Sequence, residues 1–202
     1  MNRQRVIRRA RYVEATIIAK LVATASHELP IAAWLVPDDQ QRMIVLTDVA
    51  RIWVEHALFF GEIEIALHAT GAIAGTTVWF HRNGQVPAPA AYRQRLTVAC
   101  REHADRFISL GAALAAHPPD TPCQQLAFVA VTDDQTDNET TERLLAHHHT
   151  RLDTHDSSAY ALACNDSDRD LLSRYGYQPG QQIHLPGGHI AVPMWRPAPP
   201  QA

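Results

Sequence analysis

Glu62 and Glu64, two residues apart, are the first side chains in this chain whose type and spacing suit proton transfer. Side chains of a strand alternate between its faces. Glu62, Glu64 and Ala66 therefore share one face of a strand over residues 62–68, with Ile63, Ile65 and Leu67 on the other. The strand is expected to be half-buried, with the glutamates on a wet face. If that face borders a cleft, one of them becomes a candidate proton acceptor.

A second acidic group lies later in the chain, where Asp133, Asp134, Asp137, Glu139 and Glu142 put five carboxylates into ten residues. Thr136-Asp-Asn-Glu139 has the spacing of a capping box, so the helix beginning there caps itself. A junction of central strand and helix N-terminus usually favours anions. Here a phosphate about 5 Å from one carboxylate would be repelled by roughly 3 kcal/mol per unit charge at an effective dielectric near 20.

His147, His148 and His149 follow one another on that helix. They splay through about 200° and do not converge on one metal. The run is expected as a surface stripe, with His149 pairing to Asp153 four residues on, and no metal site is expected. Cys100, Cys123 and Cys164 are odd in number and lack Cys-x-x-Cys spacing, which suits free thiols in a reducing cytoplasm. The Gly-x-Ser-x-Gly and dinucleotide-binding fingerprints are absent.

The elements that must position these groups can be read in order. Residues 126–131, Leu-Ala-Phe-Val-Ala-Val, form an apolar run of strand length, as expected of a central strand buried on both faces. Leu144, Leu145, His148 and Leu152 then recur at helical spacing. Upstream, residues 6–10 suit a short edge strand whose arginines are solvated or anion-binding. A helix is expected over 13–27, an apolar loop over 31–37, and a second helix, capped by Asp38 or Asp39, up to Phe60. Residues 72–80 form the hairpin partner of the Glu62/Glu64 strand. A helical insertion of one or two helices over about residues 89–118 serves either as a lid or as packing. A short strand over 158–164, a helix over 168–175 closed by Gly176, and two final strands around the Pro186-Gly-Gly188 turn complete the chain.

At 202 residues and a net charge of −3, the sequence describes one α+β domain over residues 1–196 with a disordered tail over 197–202. Its charge makes no general case for nucleic acid or an anionic membrane. The arginine-rich start and the apolar run after it imitate a secretion signal, but Glu14 and Lys20 interrupt the pattern. A packed amphipathic helix explains that stretch instead.

The order of elements, together with Tyr160-Ala-Leu-Ala-Cys-Asn165, Arg174-Tyr-Gly-Tyr177 and Pro193-Met-Trp-Arg196, resembles the GNAT acyltransferase superfamily. Within it the chain looks most like the actinobacterial branch that includes puromycin N-acetyltransferase. The resemblance implies a mixed, splayed central sheet flanked by helices. It further implies acetyl-CoA held through main-chain groups of Phe128, Val129, Ala130 and Val131. Two motifs depart from the family. Its phosphate loop, Gln/Arg-x-x-Gly-x-Gly/Ala, falls on Thr136-Asp-Asn-Glu139-Thr-Thr141, without glycine. Its Asn-x-x-Asn-x-x-x-Tyr helix falls on Asn165, Asp168 and Leu172, so the tyrosine acting as general acid is missing. Tyr175 is the one substitute acid, three residues away, while Tyr177 is expected in the core.

Loss of both motifs implies a divergent acyltransferase-like protein of small-molecule (secondary) metabolism without orthodox acetyl-CoA transfer. Its small ligand would sit in the former acceptor cleft, between the Glu62/Glu64 strand, the helical insertion and the last hairpin. The alternatives are a working acetyl-CoA-dependent N-acetyltransferase acting on a small amine, with Tyr175 as acid, and a non-catalytic binding or assembly protein. Homodimerisation is an open expectation of the same resemblance.

Overall fold

The computed structural model describes residues 6–83, 87–132 and 137–199, with the side chains of 137 and 138 outside that description. The expected capping box, the acidic loop over 133–136 and the end of the tail lie outside the described residues; residues 197–199 carry no regular structure.

Strands β1 (Ile7–Arg9), β2 (Gly61–Leu67), β3 (Ile73–Arg82), β4 (Cys123–Val131), β5 (Ala159–Ala163), β6 (Gln178–Pro179) and β8 (Ile190–Arg196) lie side by side in the order β1-β2-β3-β4-β5-β8-β6. The short β7 (Ile183–His184) pairs with β8. All neighbours run antiparallel except β4 and β5, which are parallel. Helices α1 (Ala15–Ser26), α2 (Pro30–Leu35), α3 (Asp39–Phe60), α4 (Tyr92–Cys100) and α5 (Ala104–Ala115) precede β4 in the chain, whereas α6 (Asp137–Thr154) and α7 (Asp166–Arg174) follow it.

Alternation along the strands divides the core into two layers. Ile63, Ile65, Val78, Phe80 and Ala130 point to one face, where they pack with Ile18, Val22, Val54 and Ala57 of α1 and α3. On the opposite face Trp79, Leu126 and Ala161 pack with Leu145, Leu152 and Leu172 of α6 and α7. Gly75 allows the start of α6 to approach β3, since a β-carbon there would lie 2.9 Å from both Thr140 Cγ2 and Val131 Cγ1.

Local signals account for most helix boundaries. The Asp38 side chain accepts from Gln41 N at 2.8 Å and caps α3. Asn165 caps α7 in the same way, accepting from Asp168 N at 2.7 Å. Residues 31–37, expected as an apolar loop, instead contain most of α2: Pro30 occupies its first turn, where no amide donor is needed, and Ala32 and Leu35 bury against α3, α4 and α5. The insertion forms two helices, and Leu96, Cys100, Ala104 and Phe107 pack into that same layer.

β4 departs from expectation in one respect. Only Cys123, Leu126 and Ala130 are buried along it, because its partnership with β5 is short.

Candidate functional site

The strand glutamates do not line a wet face. Glu62 is 5% exposed and Glu64 1%, because α6 lies across that side of the sheet. Buried carboxylates need partners, and α6 supplies them. Arg151 Nη1 donates to Glu62 Oε1 and, at 2.9 Å, to Glu64 Oε1, while Nη2 donates to Glu62 Oε2 at 2.8 Å. Arg9 on the edge strand adds a bond from Nε to Glu62 Oε1 at 2.7 Å. His147 Nδ1 donates to Glu64 Oε1 at 3.1 Å, and His148 Nδ1 lies 3.4 Å from Glu64 Oε2. Burial pushes the Glu62 carboxyl up, but bonding and charge from Arg151 outweigh it and hold the group below its ordinary range.

The expected histidine surface stripe is therefore corrected. The buried positions of α6 include Thr140, Thr141, Leu144, Leu145, His148, His149 and Leu152. This is a helical stripe that takes in two of the three histidines. His148 is 1% exposed and stacks on Trp79, with ring centroids 3.9 Å apart and planes 7° from parallel. His149 shares a 3.0 Å hydrogen bond with the buried Tyr177 hydroxyl rather than pairing with Asp153. Burial, helped by the Arg196 charge, lowers its pKa to about 3, so the ring is neutral. Asp153 is held by Arg196 instead, Nη2 to Oδ2 at 2.9 Å. Of Arg8 and Arg9, whose solvation was the simpler expectation, Arg8 is tied to Glu14, while Arg9 is solvated, its side chain 72% exposed, and also bonds Glu62.

The second feature of interest is main chain. The β4–β5 ladder covers only Gln124↔Ala159, Gln125↔Tyr160 and Leu126↔Ala161. Beyond Leu126 a bulge at Ala127 bends β4, whose other edge stays paired to β3 through Phe128↔Val78, Val129↔Thr77, Ala130↔Thr76 and Val131↔Gly75. The four residues expected to bind through their backbone thus sit on a strand with no ladder partner on the β5 side.

Solved structures share the overall fold. One, described as histone acetyltransferase HPA2 and related acetyltransferase from Corynebacterium glutamicum, superposes with a TM-score of 0.75 at 21% identity over 98% of this chain and 99% of that one. The chain has the GNAT acetyltransferase fold. The C-terminal condensation domain of Ebony, solved with beta-alanyl-dopamine, matches this GNAT fold at TM-score 0.62, 12% identity and coverage of 96% and 99%. A Drosophila melanogaster polyamine N-acetyltransferase that forms N-acetylagmatine matches at 0.59, 15% identity, and coverage of 95% and 98%. No protein-family model matches the sequence, and no curated protein matches it either.

Within the GNAT fold the expected site residues do not converge. Glu62 and Glu64 face α6, whereas the insertion and the last hairpin pack on the opposite side of the sheet, where Leu110 and Leu114 of α5 meet Ile183 and Leu185. The expected acceptor cleft combining all three is not assembled. Leu172, where the resemblance aligns the family's tyrosine, is buried in the α6–α7 layer. Tyr175 is half-buried at the end of α7, its ring 5.8 Å from that of His149, with burial raising its phenol. Tyr175 and Val129 border the same core cluster. Among the described residues no helix is long and apolar enough to cross a membrane, and no group of three or more His, Cys, Asp or Glu is placed to hold a metal.

His148 and Arg151 were missed as partners for the glutamates although a signal existed. His148 lies four residues after Leu144, and Arg151 three after His148. A helix with basic groups on its buried stripe needs acids on the surface it covers.

Proposed function

We propose that the chain is a divergent GNAT-fold protein of small-molecule metabolism, akin to the puromycin N-acetyltransferase-like branch, that binds or acts on a small ligand without orthodox acetyl transfer. The observation that carries this is the Arg151 clamp on Glu62 and Glu64. A general base must reach the proton it removes. These carboxylates are buried beneath α6 and already ion-paired. The buried Leu172 in place of the expected acid supports the same reading.

The open edge of β4 fits the acyl-thioester arm of acetyl-CoA, which main-chain groups of Phe128, Val129, Ala130 and Val131 would hold. When bound, the cofactor would supply an activated acyl group. Of the segment expected to meet its pyrophosphate, residue 136 and the side chains of 137 and 138 lie outside the described residues, while Thr140 and Thr141 are buried in the first turns of α6. The three free cysteines support placing the protein in the cytoplasm.

Calorimetric titration with acetyl-CoA and coenzyme A, joined to a product assay over small amines at millimolar acetyl-CoA, tests the proposal. No acetylated product is expected; turnover on any amine overturns it. That open β4 edge favours a second reading, an active N-acetyltransferase with Tyr175 as acid. Tyr175→Phe should then slow turnover, and an unchanged rate removes that role.

A further inference from the structure

Arg106, on α5, is half-buried beside Trp34. Its Nη1 donates to the Trp34 carbonyl at the end of α2, and its guanidinium lies 5.6 Å from the centroid of the Trp34 ring. A guanidinium carries five N–H donors, and among the described residues this one meets no carboxylate. Other buried or half-buried arginines meet acids, Arg42 at Asp39, Arg95 at Glu55, Arg151 at Glu62 and Glu64, and Arg196 at Asp153, whereas Arg82 bonds the neutral Gln125 amide oxygen. Holding a half-buried charge without a counter-ion costs free energy, and capping one helix carbonyl needs only one of its donors.

Two imidazoles lie nearby, and one of them has an acid beside it, Glu102 Oε1 standing 3.7 Å from His103 Nε2. One turn before Arg106, the buried His103 Nε2 has no hydrogen-bond partner among the described residues. His189, next to the turn between β7 and β8, approaches the Trp34 ring edge-on at 6.3 Å. Gly187 of that turn is pressed against Trp34, where a β-carbon would lie 2.5 Å from Cδ1. Ile31 and Leu110 add apolar surface at the junction.

From these observations we infer that the junction of α2, α5 and the β7–β8 turn binds a small organic carboxylate, its carboxylate on Arg106 and its apolar body beside Trp34. This names the ligand class for the reading above and rests on it. A planar guanidinium fork matches a carboxylate in two parallel bonds, and an adjacent indole favours an apolar, preferably aromatic, body. A phosphate would satisfy the charge but not the apolar surface.

The test follows the Arg106 Nε–Hε resonance by ¹⁵N NMR in the whole protein during titration with benzoate, inorganic phosphate and benzylamine, without cofactor. A saturable benzoate shift, stronger than that from phosphate and absent with benzylamine, is expected. Arg106→Gln should weaken benzoate binding by at least about tenfold, with Arg106→Lys between the two. Thermal melts of both variants separate lost binding from lost folding. Tighter binding of phosphate, no saturable shift with benzoate, or benzoate binding retained in Arg106→Gln overturns the inference. The titration requires no turnover, so its failure leaves the functional proposal standing, and acetyl transfer would refute that proposal without touching the Arg106 site.

Discussion

His148 lies flat on Trp79, its ring centroid 3.9 Å from the indole and its Nδ1 3.4 Å from Glu64 Oε2. One side chain thus joins α6 to the sheet by stacking and by a polar contact. His148→Phe keeps an aromatic ring but loses the polar contact, and is expected to cost about 1–2 kcal/mol. His148→Ala loses both and should cost about 3 kcal/mol or more. Urea denaturation measures each: a His148→Phe variant as stable as the wild type would show that the Glu64 contact contributes nothing, and equal costs for the two variants would show the same of the stacking.

Among the described residues Arg151 is the one arginine that bonds both glutamates, since Arg9 reaches only Glu62. Arg151→Met should destabilise the fold by about 2–3 kcal/mol, below the full cost of breaking a buried pair because Arg151 is partly exposed. Adding Glu62→Gln and Glu64→Gln should restore part of that loss by removing the stranded charges. If the triple variant is less stable than Arg151→Met alone, charge balance is not what holds α6 to this face.

Stability should fall with acid in two steps. His149 is neutral in the fold, with its pKa lowered from 6.5 to about 3, so unfolding takes up a proton as pH drops below 6.5. The stabilisation is complete above that value and is lost towards pH 3, with a slope of about 1.4 kcal/mol per pH unit for one proton. Glu62, lowered from 4.5, adds stability present above 4.5 and lost as pH falls through its folded value. Denaturation curves across this range should flatten between pH 6.5 and 4.5 in His149→Gln; an unchanged slope would assign the proton elsewhere.

Gly187 combines a left-handed backbone, φ 75°, with contact against Trp34. Gly187→Ala must strain that conformation and displace the indole, for about 2 kcal/mol or more. Thermal melting and a change in tryptophan emission should report it together. A wild-type melting curve would mean the turn has room to move.

Much of the fold is legible in the sequence because its signals are local. Asp38, Gly176 after α7 and the Gly187 turn act through backbone geometry that neighbouring residues specify. α2 was hidden because six residues are too few to display a period. β4 read as doubly buried because its composition records the apolar surface available, not where its ladder to β5 stops.

By itself the sequence determined the order of most elements, the two-faced pattern of β2 and the helical spacing of Leu144, Leu145, His148 and Leu152, although it suggested a surface stripe for the histidine run that tertiary packing buried. It also established that Glu62 and Glu64 share one face. Which face α6 would cover was decided only by tertiary structure. The packing of α6 turned two apparently solvated glutamates into the buried acids of an ion cluster, and placed the insertion and last hairpin on the other side of the sheet. The physical reason is that periodicity defines a surface within one element, whereas burial and charge pairing are properties of two surfaces brought together.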